Sequence, residues 1–327
     1  MPAPEELRLG TRGSPLALWQ ANAVAHSIAR TGGPRCRIVV IKTSGDLQTA
    51  SLSEVGGKRL FVKEIEDALV KGEIDLAVHS SKDMPAVLPD GLAIAAVLPR
   101  ADPHDAVVLP ASRQETTSTI GELVAALGQS PSLGTGSVRR VAQLRRLFPG
   151  ARFTPIRGNL ETRLRKLDAG EHDALVLAAA GLRRLGFAAR ISFTLPASAC
   201  VPAPGQGIVA VEIRDDAEAI RGVVAPIDDA AAAAALRAER ALVEALGGGC
   251  QTPIGAVATL MEGETIEIVA AVVTVDGRRA LRTTASGHLA DAAAIGVRAA
   301  RQLMAEGAGD ILAEARQVHA AVEGIQP

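Results

Sequence analysis

Hydrophobic period is the strongest constraint in this 327-residue chain, because it switches back and forth along the first two thirds. Short apolar runs at 7–11, 38–42 and 74–78 read as strands. Between them lie stretches whose apolar residues recur at helical spacing. Ser14 stands as an N-cap with Pro15 at the first helical position, and Leu18, Trp19 and Ile28 follow in that helix. Phe61, Ile65 and Leu69 share one face of the next, with Gly72 after its end. A second series repeats the alternation, with strands at 106–109, 153–156 and 174–178, and a further strand at 208–213 follows the break that closes it. Its helices are expected at 120–127, from Ser137 to Leu147, from Asn159 through Leu160, Leu164 and Leu167 to Gly170, and from about Gly181. Strands that alternate with helices predict an α/β protein built from parallel βαβ units. Two polar, Pro-containing breaks interrupt the pattern, PRADPHD at 99–105 and PASACVPAPGQG at 196–207. They predict a chain that leaves one α/β lobe, builds a second and returns, with a hinged cleft between them. The last third differs. An Ala-rich helix at 228–246 stops at Gly247-Gly248-Gly249, a strand at 265–275 turns at Asp276-Gly277 into 279–284, and a helix spans 291–306. That is a small C-terminal α+β domain.

Composition narrows the function classes. Lys+Arg number 35 against 36 Asp+Glu, and the aromatics are Trp 1, Phe 5 and Tyr 0. The chain lacks both the basic excess and the stacking faces of a nucleic-acid binder, so no nucleic-acid partner is expected. Cys36, Cys200 and Cys250 stand far apart with no CxxC, so no metal site is expected and a reducing cytoplasm fits. No apolar run reaches membrane-spanning length, so no membrane partner is expected either.

One local pattern recurs. A strand-like run passes through a short turn into a helix, with arginine at the junction. It occurs at Thr11-Arg12-Gly13-Ser14, at Thr135-Gly136-Ser137-Val138-Arg139-Arg140, at Arg157-Gly158-Asn159 with Arg163 one turn on, and at Gly181-Leu182-Arg183-Arg184. A cation at a helix N-terminus is disfavoured by roughly 0.3–1 kcal/mol unless an anion answers it. Repetition of that placement predicts a polyanionic ligand, carboxylate or phosphate, in the cleft. Neither GxxxxGK[ST] nor a GxGxxG after the first strand is present, so nucleotide motifs are not supported. After the strand at 74–78 come His79-Ser80-Ser81-Lys82-Asp83-Met84-Pro85. Asp83 beside His79 and Lys82 is placed for general acid–base work, or simply caps the turn. Cys250 sits in Gly247-Gly248-Gly249-Cys250-Gln251-Thr252-Pro253-Ile254-Gly255. A thiol on such a loop is a nucleophile, a covalent attachment point or a small buried residue.

Seven segments taken together resemble the porphobilinogen deaminase (hydroxymethylbilane synthase) family nearly end to end. They are TRGSPLALWQA (11–21), GGKRLFVKEIEDAL (56–69), DLAVHSSKDMP (75–85), GTGSVRR (134–140), RGNLETRLRKLDAGEHDALVLAAAGLRRLG (157–186), PAPGQG (202–207) and GGGCQTPIG (247–255). The resemblance implies two periplasmic-binding-protein-like lobes, residues 1–101 with 206–226 and residues 102–205, and a third domain at 227–327. It implies a dipyrromethane cofactor attached covalently through Cys250. Four porphobilinogen molecules would be condensed onto it with loss of ammonia, and water would release hydroxymethylbilane. By the same resemblance Asp83 is the catalytic carboxylate. Arg12, Ser14, Lys82, Thr135, Ser137, Arg139, Arg140, Arg157, Arg163, Arg184 and Gln206 bind cofactor and substrate. Lys58 and Phe61 belong to a mobile active-site loop at 43–58 and its end. A cytoplasmic monomer is implied, its product passing to uroporphyrinogen-III synthase. Gly136 departs from the family's frequent hydroxyl residue, and Arg59, Ser81 and Met84 are smaller departures. Two other classes share some of these features. One is a two-lobed solute-binding module. The other is a transferase or hydrolase that uses Cys250 with His79.

Overall fold

The computed structural model describes residues 4–44, 62–113, 117–248 and 252–323. In the first lobe β1 (Glu6–Thr11), α1 (Pro15–Arg30), β2 (Arg35–Val40), α2 (Lys63–Val70), β3 (Leu76–Ser80) and β4 (Leu92–Val97) follow one another. The second lobe contains β5 (Asp105–Val108), α3 (Ile120–Leu127), β6 (Ser132–Gly134), α4 (Val138–Leu144), β7 (Arg152–Thr154), α5 (Leu160–Asp168), β8 (Ala174–Ala178), α6 (Ala179–Arg184) and β9 (Phe193–Leu195). The chain then returns through β10 (Val209–Arg214) and α7 (Glu218–Val224). It ends in α8 (Ala230–Ala245), β11 (Ile254–Leu260), β12 (Thr265–Val273), β13 (Ala280–His288), α9 (Ala292–Ala305) and α10 (Ala308–Glu323). The fold class is the expected one: two α/β lobes and a smaller α+β unit.

The strand directions correct the all-parallel expectation. The lobe sheets run β2-β1-β3-β10-β4 and β7-β6-β8-β5-β9. In the first, β10 is antiparallel to β3 and β4; in the second, β5 is antiparallel to β8 and β9. The reason is topological. β5 and β10 are the strands fed by the two crossings. Each enters its sheet from the end facing the other lobe and so runs against strands whose carboxyl ends point there.

Local signals mostly land where expected. Ser14 Oγ accepts from Ala17 N, and α1 then buries Gln20, Ala21, Val24 and Ile28 on one face. Asn159 Oδ1 accepts from Thr162 N at the start of α5. Other expectations shift. β2 starts at Arg35 because its outward residues are polar while Cys36 and Ile38 pack inward. The α4 helix stops at Leu144, short of Leu147. β4, β9 and β11 had not been expected, since each abuts a break or loop and borrows its look. α6 begins at Ala179, so Arg183 and Arg184 lie in its last turn. There the helix dipole favours cations, and the argument from an unfavourable N-terminal arginine does not apply to that junction.

The third unit wedges against both lobes. Ala232 and Leu236 of α8 pack on Met84, Val97, Ile208 and Ala210 of the first lobe. Val257, Ala271 and Val273 pack on Ala142 and Val201 beside the second. Within it α8 and α9 approach through small residues. A Cβ at Gly296 would lie 2.0 Å from the Ala238 carbonyl oxygen, so only glycine fits there. Glu239, fully buried on α8, ties the crossings together. It pairs with Arg100 of the first crossing and accepts from Gly205 N of the second at 2.6 Å and from Ala258 N at 2.7 Å. Arg100 Nε also donates to the Gln206 carbonyl at 3.0 Å.

Candidate active site

β1 and β3 deliver their carboxyl ends side by side, and a single 3-10 turn, Ser81–Asp83, follows β3. Around that turn lie two cavities. The smaller is lined by Arg12, Ser14, Gln20, Val62, His79, Ser80 and Asp83. Gln20 is 2% exposed, and its Nε2 has no hydrogen-bond partner among the described residues. A buried amide donor without a partner is costly unless a ligand answers it. His79 is turned toward buried Glu212, its Nε2 3.0 Å from Oε2, so it is part of the strand packing as well as the cavity wall.

The larger cavity encloses about 640 Å³, part of it open to solvent. Ser81, Lys82, Ser137, Arg139, Arg240 and Thr252 supply its polar lining, with Met84, Leu236, Val243 and Ile254 among its apolar residues. Among the described residues, three charged donors and no carboxylate line it. Burial pushes the Lys82 ammonium down to about 8, against the opposing pull of Asp83, with Arg140 and Arg139 adding to the depression. Lys82 Nζ donates to Gln206 Oε1 at 3.3 Å. Among the described residues Arg139 Nε and Ser81 Oγ are buried without partners. Thr252 is the first described residue after Cys250, and its Oγ1 lies 3.3 Å from where a Cβ on Gly248 would stand.

The second lobe brings its arginines to the same place through Asp105, a fully buried carboxylate at the start of β5. Arg139 reaches Oδ2 at 2.7 Å, and Arg140 reaches Oδ1 through Nε at 2.9 Å. Gln206 Nε2 joins Oδ1 at 2.9 Å and donates to the Pro103 carbonyl at 2.7 Å. Burial alone would raise the Asp105 carboxyl, but the charges of Arg139 and Arg140 hold it far below the usual carboxylate range. Cys200 Sγ lies 3.4 Å from Oδ2, its thiol pushed up to about 12 by burial and by the carboxylate. Ser137 caps α4, accepting from Arg140 N at 3.4 Å, and Thr135 Oγ1 accepts from Ser137 N. A Cβ on Gly136 would meet nothing within 4 Å. A larger side chain at this position would therefore have room.

Arg163 Nε donates to the Gly158 carbonyl at 2.8 Å. Burial lowers its pKa, and Arg140 and Arg157 lower it further while Asp83 opposes them. The charge of Asp83 on the first lobe therefore reaches Arg163 on the second. Arg184 donates to the Gly207 carbonyl at 2.7 Å, on the second crossing. The structure thus gathers Arg12, Ser14, Lys82, Asp83, Thr135, Ser137, Arg139, Arg140, Arg157, Arg163, Arg184 and Gln206 about the lobe junction. Lys58, Phe61 and Cys250 lie outside the described residues. Gln20, Asp105 and Arg240 were missed from sequence. The available signal was a polar residue placed within an apolar or Ala-rich stripe, or at the very end of a polar break.

The profile described as "Porphobilinogen deaminase, dipyromethane cofactor binding domain" matches residues 7–222, and that of the "Porphobilinogen deaminase, C-terminal domain" matches 233–305. The porphobilinogen deaminase of Geobacter metallireducens is 45% identical over 98% of both chains. That of Geotalea daltonii is 44% identical over 96% of both. Among solved structures, the Bordetella pertussis BvgS VFT2 domain double mutant is 16% identical, with a TM-score of 0.39 over 67% of this chain and 84% of its own. An ancestral cationic amino acid solute-binding protein is 14% identical, with a TM-score of 0.40 over 68% of this chain and 87% of its own.

Proposed function

The chain belongs to the porphobilinogen deaminase family, and from that premise we propose that the two cavities flanking the Ser81–Asp83 turn are its active site. The enzyme is a transferase. It condenses four porphobilinogen molecules head to tail with loss of ammonia and releases hydroxymethylbilane by hydrolysis. Its cofactor, dipyrromethane, supplies the primer to which rings are joined.

The donor set fits that group. Pyrroles bearing acetate and propionate need several N–H and O–H donors. The larger cavity offers Lys82, Ser137, Arg240 and, unpartnered among the described residues, Arg139 Nε and Ser81 Oγ, with no competing carboxylate among its described lining residues. These residues, with Cys250 as covalent anchor, would hold the cofactor, and Thr252 in the wall supports that assignment. In the smaller cavity Arg12, Ser14 and Gln20 bind the acid groups of incoming porphobilinogen. Asp83 accepts the pyrrole N–H and stabilises the positive charge that develops as ammonia departs. Lys82, its ammonium near 8, gives up a proton at Nζ more readily than an ordinary lysine and lies next to Asp83 in the chain. Arg140, Arg157, Arg163 and Arg184 receive carboxylates from the second lobe, with Thr135 and Gln206 supporting them. Lys58 and Phe61 we assign to the loop that keeps water out.

The three sheets support division into 1–101 with 206–226, 102–205 and 227–327. No helix among the described residues is long and apolar enough to cross a membrane. We read the protein as a cytoplasmic monomer that hands its product to uroporphyrinogen-III synthase.

The observation that carries this reading is that the charge of Asp83, on one lobe, acts on both its neighbour Lys82 and Arg163 of the other lobe. Arg163→Gln tests it. Loss of a charge-assisted hydrogen bond should raise KM for porphobilinogen about ten- to a hundredfold. An unchanged KM would contradict the assignment.

A further inference from the structure

Helices α1 and α6 belong to opposite lobes and touch. A Cβ on Gly181 would lie 3.7 Å from Leu16 Cδ2. Beside that contact the Arg184 guanidinium sits over the Trp19 ring, 5.4 Å from its centroid. Its other contact is the Gly207 carbonyl at 2.7 Å. Burial lowers the Arg184 pKa to about 10.

Several other arginines at the junction have a carboxylate partner. Arg139 and Arg140 share Asp105, Arg100 pairs with Glu239, and neighbouring Arg183 lies 3.3 Å from Asp102. Among the described residues no carboxylate pairs with Arg184. Its two partners are a ring face and a carbonyl, both uncharged. They fix the direction of the guanidinium and leave its charge unanswered. Trp19 remains 41% exposed, so core packing does not account for an indole here.

We propose that Trp19 is a positioning residue that holds Arg184 of the opposite lobe, charged and unneutralised, for a carboxylate of the bound pyrrole chain, so that anion binding is coupled to the contact between the lobes. The inference rests on the carboxylate-binding role of Arg184 given above. A lysine in place of Arg184 would lose the planar face that stacks on the indole, so the pair is specific to arginine.

The test uses the holoenzyme and its Trp19→Phe, Trp19→Leu and Arg184→Gln variants. The chain has one tryptophan, so its emission reports on this contact alone. Porphobilinogen should shift that emission in the parent enzyme and leave it unshifted in Arg184→Gln. Trp19→Leu should raise KM about three- to tenfold with kcat within about twofold, while Trp19→Phe, which keeps a ring face, stays within about twofold of the parent in both. A parent emission indifferent to porphobilinogen would overturn the proposal. So would a Trp19→Leu enzyme with normal KM, or a Trp19→Phe enzyme as impaired as Trp19→Leu. If Arg184→Gln is impaired while Trp19→Leu is normal, only the role of Trp19 falls. If Arg184→Gln itself keeps a normal KM, the carboxylate role of Arg184 falls with it.

Discussion

Asp83→Asn is expected to fold as the parent does, to carry its covalent cofactor and to lose about a thousandfold in kcat, the combined scale of a lost acid–base group and a lost electrostatic stabiliser. The amide keeps the shape and one acceptor oxygen of the carboxylate but not its charge. Asp83 sits at the end of the 3-10 turn, in the wall of the smaller cavity, with Arg12 and Ser14 on the facing junction. Its charge acts on both Arg163 and Lys82. A positive charge generated on the substrate beside Asp83 is stabilised only while the carboxylate is ionised. Steady-state kinetics with porphobilinogen, alongside thermal unfolding to establish that the variant is folded, decide the matter. A kcat within about tenfold of the parent would remove Asp83 from the chemistry.

Asp105→Asn is expected to cost about 3–5 kcal/mol of folding stability, because it leaves two buried guanidinium groups without their counter-ion. Arg139 and Arg140 are 4% and 8% exposed, and Asp105 is fully buried between them. The pH dependence has a definite sign. The Asp105 carboxyl is held below its unfolded value, so its contribution is complete above about pH 4 and is lost as pH falls through that value toward the folded one. Urea denaturation should therefore show the parent losing stability on the acid side more steeply than Asp105→Asn does. A neutral-pH difference below about 1 kcal/mol would contradict the role given to this carboxylate.

The contrast between these residues shows what sequence periodicity carries. Ser14 and Asn159 are legible as caps because a helix start imposes its chemistry within three residues, and both cap as expected; Ser137, read as the start of its helix, caps it too. Asp83 and Arg12 are legible because each stands at the end of a strand whose apolar run is plain. Asp105 is not legible in the same way. Its partners lie 34, 35 and 101 residues away, and nothing local to PRADPHD announces them. Gln20 lies within a helical run, and only the fold places its amide, unpartnered among the described residues, in a cavity wall. The antiparallel course of β5 and β10 is likewise invisible to a periodicity argument, since an apolar run reads the same in either direction. Arg184 joins the cleft from the last turn of α6 and meets a tryptophan of the other lobe, a pairing that only the tertiary structure creates.

The central claim is that a thiol-bound, acid-bearing pyrrole primer occupies a cavity of positive charge. Intact-mass measurement of the purified protein tests it most directly, read beside Cys250→Ala. The parent should exceed its sequence mass by a two-pyrrole adduct, and Cys250→Ala should match its sequence mass and be inactive. A parent that turns over porphobilinogen at its unmodified mass, or an adduct that persists in Cys250→Ala, would contradict the account.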